Sequence, residues 1–309
     1  MLQKISDSPH GVQRHPFRLK RRPEERVQVL GSVVDLVKTP EVFRFVDRAI
    51  AANAKPIIAN HNLHSLYLTQ QDPEVAAFFA KADLIEVDSV PLIIWARLIG
   101  RPSRRFHRCT YLDWREEFWF KAVENGWRVF FLGSTDEVCR IASDKLRAEW
   151  PGVQIEARHG YFDASSGSAA NDEAIRAIHD FKPHILLVGM GMPRQELWVL
   201  RNHAALPSCA IFTVGGAFDY EAGVQKPAPR WVGQIGMEWL YRLARNPRRL
   251  FRRYCVEPWW LVGPAVQDLV RAARRRFKPV QEARPAIELA LFTDHANPDL
   301  ERPKISAAR

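Results

Sequence analysis

Two apolar, β-branched runs near the middle of the chain end in glycines, with polar residues beside them. One reads Ile185-Leu-Leu-Val-Gly-Met-Gly-Met-Pro-Arg-Gln-Glu; the other reads Cys209-Ala-Ile-Phe-Thr-Val-Gly-Gly-Ala-Phe-Asp. A short apolar run bounded by glycine has the character of a buried parallel strand. Gly189, Gly191, Gly215 and Gly216 then fall at strand carboxyl ends, where open α/β sheets take their ligands. Glycine there lets backbone approach a ligand closely. Pro193 suits the first turn of the following helix, whose free N–H groups attract an anion. Gln195 on that turn offers an amide to hydroxyl groups. Any one of these glycines also serves as ordinary strand-to-helix punctuation. Two such ends in succession, with polar neighbours, point to a site.

Two more strand ends carry polar side chains. Pro56-Ile-Ile-Ala runs into Asn60-His61-Asn62, and Ala82-Asp-Leu-Ile-Glu-Val runs into Asp88-Ser-Val-Pro91. A carboxylate such as Asp88, at a strand end before a helix, is placed to take a proton. Its other use is as a helix N-cap. Asn60 and Asn62 can hydrogen-bond hydroxyl groups. The loop Arg101 to Arg108 is basic, and on charge alone it is a solvated loop.

The elements that must position these residues follow from the pattern. A strand at Val27 to Val37 precedes Thr39-Pro40-Glu41, which opens a helix with Thr39 as N-cap and Pro40 at its first position. Val42, Phe45, Val46 and Ile50 recur along it at helical spacing. A helix carries Leu63, Leu66 and Tyr67; others span Pro91 to Ile99 and Leu112 to Asn125. Arg128 to Asp136 forms a strand–turn–helix unit. A strand at Val153 to Ala157 and a small-residue loop from Tyr161 to Asn171 come next, then a helix to Phe181. This alternation from Val27 to Asp219 predicts a doubly wound parallel sheet. No GxGxxG follows the first strand, so the dinucleotide fingerprint is missing.

The four cysteines lie far apart with no CxxC pair, which supports neither a zinc ribbon nor a redox motif. The formal net charge of +10 implies an acidic partner: nucleic acid, anionic lipid or a phosphate-bearing substrate. No apolar run is long enough for a transmembrane helix.

After Asp219 the character changes. A helix from Trp231 to Arg245 stops at Pro247, and a second, amphipathic one runs from Arg248 to about Val256. Arg242, Arg245, Arg248, Arg249, Arg252 and Arg253 alternate here with Trp239, Tyr241, Phe251, Tyr254, Trp259 and Trp260. Three readings compete. A solvated face explains the charge but not the rings. Nucleic-acid binding uses both. A helix at an anionic membrane surface fits best, because Trp and Arg share the boundary between water and lipid.

Four segments in series carry a resemblance: Val188-Gly-Met-Gly-Met-Pro-Arg-Gln-Glu-Leu-Trp, Val214-Gly-Gly-Ala-Phe-Asp-Tyr-Glu-Ala-Gly, Pro227-Ala-Pro-Arg-Trp-Val, and Gly236-Met-Glu-Trp-Leu-Tyr-Arg-Leu-Ala-Arg-Asn-Pro-Arg-Arg. Together they closely resemble the WecG/TagA/CpsF family of glycosyltransferases, from about Val27 to Arg253. The resemblance implies a Rossmann-like parallel sheet with helices on both faces, plus a basic helical C-terminal appendage that completes the active site. Composition and resemblance together divide the chain: composition gives a mobile basic leader (1–25), the membrane-associating character of the appendage (236–278) and a disordered tail (279–309), and the resemblance implies a catalytic core (26–235). It implies inverting, metal-independent transfer of a hexose or N-acetylhexosamine from a UDP-sugar to a polyprenyl-diphosphate-linked sugar. The place would be the inner face of the cell membrane, with an anionic membrane surface as partner and neither cofactor nor nucleic acid. Self-association is left open.

Residue by residue, the resemblance assigns the base to Asp88, with Ser89 where the family has Gly. Asn62 matches the end of a Thr-x-Asn motif, with Asn60 in place of Thr. Arg108 and Asp113 match an Arg-x-x-Gly-x-Asp pattern, with Tyr111 at the Gly. Gln195 matches beside the Gly189-x-Gly191-x-Pro193 turn. Arg242, Arg249 and Arg252 match arginines that hold a diphosphate, and Pro227-Ala-Pro stands where Arg-Ala-Pro is usual.

Overall fold

Alternating apolar runs and amphipathic segments build the sheet expected from the sequence. The computed structural model describes residues 26–226 and 237–277. The leader, the tail, the Pro227-Ala-Pro-Arg loop and the expected helical residues 231–236 lie outside the described residues, as does the Arg249 side chain. The elements are β1 (Arg26–Val29), β2 (Ser32–Asp35), α1 (Thr39–Ala51), β3 (Ile57–His61), α2 (Leu63–Gln71), α3 (Pro73–Lys81), β4 (Leu84–Val87) and α4 (Val90–Leu98). There follow α5 (Tyr111–Glu124), β5 (Arg128–Gly133), α6 (Asp136–Glu149), β6 (Gln154–Arg158), α7 (Ala169–Phe181), β7 (Ile185–Gly189), α8 (Arg194–Asn202), β8 (Ala210–Thr213) and α9 (Ala217–Ala222). The appendage supplies α10 (Glu238–Arg245), α11 (Pro247–Phe251) and α12 (Val262–Phe277).

Six parallel strands lie in the order β4-β3-β8-β7-β5-β6. Their side chains alternate between two covered faces, which is why the central strands β5, β7 and β8 are almost entirely apolar. On one face Leu84, Ile58, Phe212, Leu187 and Phe131 meet Val42 and Phe45 of α1, Trp114 and Phe118 of α5, Ala142 of α6 and Phe218 of α9. Phe131 and Phe218 stack with ring centres 3.5 Å apart. On the other face Phe130 packs against Phe181 of α7, while Phe78 of α3 and Trp198 and Val199 of α8 are buried.

The structure corrects several expectations. The first strand does not join the parallel sheet. It folds back as an antiparallel hairpin of β1 and β2. Leu30 and Gly31 take φ of 50° and 79° at its turn, the geometry of a tight hairpin turn, and a Leu before the Gly hides that signal. The helix expected to carry Leu63, Leu66 and Tyr67 is present as α2, and Asp72 caps a further one at Pro73. Lys38 rather than Thr39 is the N-cap of α1. Pro193 precedes α8 as its N-cap, after a cis Met192–Pro193 bond. The helix expected over Arg248 to Val256 is α11, a π-helical turn (Arg252–Val256) and a 3-10 turn (Glu257–Leu261) before α12. Pro258, which lacks an N–H, interrupts the regular ladder there.

Among the described residues, those through Leu269 form one compact unit, and those from Val270 belong to a second.

Candidate active site

All six strands point their carboxyl ends the same way, so the strand-end residues Asn60, Asn62, Asp88, Gly189 and Gly191 share one edge. β5 leads outward to β6, whereas its neighbour β7 leads back to β8. Two adjacent strands whose connections diverge open a crevice at their carboxyl ends. Glycines floor it. A Cβ on Gly133 would stand 2.3 Å from the Gly189 carbonyl oxygen, and one on Gly160 would stand 2.9 Å from Gly133 Cα. The neighbouring strand ends approach too closely for a side chain at either position. Ser134 Oγ donates to Asp219 Oδ1 at 2.7 Å, bringing a carboxylate to the rim. Sequence reasoning assigned neither Ser134 nor Asp219 to the site; the available signal for Ser134 was its place directly after the strand-end Gly133, whereas Asp219 stands three residues beyond Gly216.

Gln195 ties the floor together. Its Oε1 accepts from Gly191 N (3.2 Å) and from Gly215 N (3.1 Å), and its Nε2 donates to Glu196 Oε1 (2.8 Å). The side chain is fully buried. Its amide is thus spent on the turns after β7 and β8, so here it shapes the backbone of the crevice rather than facing it. Burial raises the Glu196 carboxyl from its ordinary 4.5 to about 7.

Two strands over, β3 ends at three polar residues with different tasks. Asn60 Nδ2 donates to the Thr213 carbonyl at 2.7 Å. His61 is fully buried between Ser32 Oγ and Ser65 Oγ, each 2.9 Å away, and stacks on Phe79. Burial depresses its pKa to about 3, so it remains a neutral structural ring. Asn62 caps α2, accepting from His64 N and Ser65 N. Its Nδ2 lies 4.0 Å from Met192 Sδ, which joins this strand end to the Gly189–Pro193 turn.

Asp88 follows β4 and is half-buried, its N–H bonded to the His61 carbonyl at 2.9 Å. Ser89, not Asp88, is the N-cap of α4, so the capping use does not apply. Arg108 reaches the same place: Val87 bridges to Arg108, and Cys109 N donates to the Val87 carbonyl. The Arg108 guanidinium grips Asp113 with a fork at 3.1 and 2.7 Å. Glu86, which sequence reasoning passed over as part of an apolar strand, is buried two residues before Asp88, and burial followed by the Asp88 charge pushes its carboxyl well up.

The appendage meets this edge at two points. Arg242 donates to the Tyr220 hydroxyl of α9 at 2.8 Å. Glu257 bonds to His64 of α2 at 2.5 Å, and Trp260 lies near Tyr67. Burial and the Arg253 charge lower the His64 pKa despite this carboxylate, so near neutrality the ring is uncharged and donates its Nδ1–H. Arg252 is exposed on the π-helical turn. Beside the edge, a cleft of about 450 Å³ lies between the Phe162–Ser165 loop and Pro193, Arg194 and Leu197. It contains neither Asp88 nor the glycine floor.

A parallel α/β sheet with a carboxylate, amides, a glycine-floored crevice and guanidinium groups along its carboxyl edge is built as a Rossmann-like group-transfer enzyme. The chain belongs to the Glycosyl transferase WecG/TagA/CpsF family, whose match covers residues 27–275. It is similar to the N-acetylglucosaminyldiphosphoundecaprenol N-acetyl-beta-D-mannosaminyltransferases of Staphylococcus aureus strains MW2, NCTC 8325 / PS 47 and COL. Each is 27% identical over 210 residues, which is 65% of this chain and 80% of the relative. This membership supports the enzyme over the nucleic-acid alternative.

Proposed function

We propose that this protein is an inverting, metal-independent glycosyltransferase of cell-surface polysaccharide assembly. It moves a hexose or N-acetylhexosamine from a UDP-sugar to a sugar on a polyprenyl diphosphate. The similar staphylococcal enzymes are named for such a lipid-linked acceptor. The observation that carries the reading is Asp88 and the glycine crevice on one sheet edge. Asp88 stands three strand spacings from β7 and four from β5, about 14 and 19 Å, with Asn62 and Met192 in contact between them.

The acceptor hydroxyl attacks the anomeric carbon and forms the new C–O bond. The bond to the UDP oxygen breaks on the opposite side, and Asp88 takes the hydroxyl proton. UDP leaves with its added charge, which needs cations or helix N-termini to receive it. Arg242, Arg249 and Arg252 supply forked guanidinium groups suited to phosphate oxygens. Asn60 and Asn62 border the sugar, and Gln195 holds the backbone beneath it.

The acceptor also sets the location. No described helix is long and apolar enough to cross a membrane. Trp259 is 74% exposed, and Trp260, Phe251 and Val262 are exposed too, among the appendage arginines. That combination suits the cytoplasmic face of an anionic bilayer.

The test is Asp88→Asn, assayed with a panel of UDP-sugars and a lipid-linked acceptor. Turnover drops about 100-fold or more with the fold intact. Wild-type turnover in that variant removes Asp88 from the chemistry.

A further inference from the structure

Glu86 and Asn60 pose a joint problem. They are direct partners across β4 and β3, so their side chains leave the same face of the sheet. Both are held away from water: Asn60 Oδ1 and Glu86 Oε1 are each buried without a hydrogen-bond partner. A carbonyl only accepts, so the Asn60 group facing the Thr213 carbonyl must be its NH₂. In the strand order β4-β3-β8 this turns Oδ1 away from β8, toward the side where Glu86 stands. Two buried acceptors facing each other are unfavourable; one proton shared between them satisfies both.

We propose that Glu86 is a positioning residue for the transfer site: its carboxyl is protonated in the resting enzyme and donates to Asn60 Oδ1, fixing the amide at the strand end beside Asp88. The surroundings favour this. The charged groups facing it are Asp88 on its own strand and Asp113 at the start of α5, the latter forked by Arg108. From the hairpin, Asp35 takes the neighbouring Ile85 N–H and pairs with Arg26. Cys109 nearby is a buried thiol whose pKa is raised, and so contributes no charge. A second anion at Glu86 would sit beside Asp88 and repel a donor that itself carries a diphosphate. Held neutral, Glu86 adds no second charge beside Asp88. The role given to Asp88 rests on the proposed function; the protonation of Glu86 does not.

Two arms test it. Infrared spectra of protein carrying carboxyl-labelled glutamate, at about pH 8.5 where Glu196 has ionised, should show a protonated-acid carbonyl band. That band should vanish in Glu86→Gln. Among variants, Glu86→Met, which keeps the length but offers no donor, loses turnover about tenfold. Glu86→Gln, whose NH₂ can donate to Asn60 Oδ1, restores most of the loss and leaves the acid limb of the pH–kcat profile in place. Absence of the band in the wild type overturns the proposal. So does a shift of the acid limb in Glu86→Gln, which would mean that a charge beside Asp88 had been removed. The infrared arm needs no substrate, so its failure is separable from failure of the glycosyl-transfer reading.

Discussion

Replacing Glu196 by glutamine should stabilise the protein, and increasingly so as the solution becomes alkaline. Glu196 is fully buried; Oε1 accepts from Gln195, while Oε2 has no partner. Burial lifts its carboxyl from 4.5 to about 7 in the folded state. A raised folded value means that the neutral acid is the form the fold accepts. Its contribution is complete below the unfolded value near 4.5 and is lost as pH rises through about 7. Above that, the folded chain carries a buried anion costing about 3 kcal/mol, from 1.36 kcal/mol per pH unit over the interval between the two values. Glutamine copies the neutral acid: its carbonyl keeps the Gln195 contact and its NH₂ replaces the O–H. Urea unfolding of both proteins should show a gain below about 1 kcal/mol at pH 5, growing to about 3 kcal/mol at pH 8.5. A pH-independent difference would refute the reasoning, because it would mean that Glu196 is already ionised in the fold.

Gly133→Ala places a Cβ 2.3 Å from the Gly189 carbonyl oxygen. It should cost about 3 kcal/mol or more, seen as a lowered thermal midpoint together with weaker UDP binding; an unchanged midpoint would show that the crevice floor is not closed. Deleting residues beyond Gly236 should leave a core that still binds UDP but transfers little sugar, whereas full transfer by that core would remove the appendage from the site. Acidic liposomes should slow proteolysis after Arg253, and cleavage at the same rate with and without vesicles would count against membrane docking by this segment.

The core of the fold was legible because parallel strands covered on both faces are written as apolar runs, and the glycines mark their carboxyl ends. That placed Asp88, Asn60, Asn62 and the Gly189–Pro193 turn on one edge, where the structure has them. What escaped depends on long-range contact. Gln195 carries the right chemistry for a ligand, but only the packing of α8 shows that Gly191 and Gly215 consume it. Glu86 sits in the middle of Leu84-Ile-Glu-Val, where pattern alone treats an acid as an interruption. The first strand misled because a hairpin turn at Leu30-Gly31 depends on backbone angles that leucine seldom adopts. The appendage was recognised by composition, yet its division into α11, a π turn, a 3-10 turn and α12 follows from proline positions and from docking on α2.

The hairpin of β1 and β2 has a consequence for how the enzyme is made. Leu30 N–H bonds to Asp268 Oδ2 at 2.7 Å across 238 residues, and Trp95 Nε1 joins the same carboxylate. Asp268 is 2% exposed, and these donors help to offset the burial of its carboxyl group. One of the earliest described segments to leave the ribosome therefore waits for one of the last. The sheet can assemble during synthesis, but the hairpin gains its tie to α12 only once Asp268 has emerged, so a nascent chain stalled before that point holds a nearly finished sheet with this contact unmade.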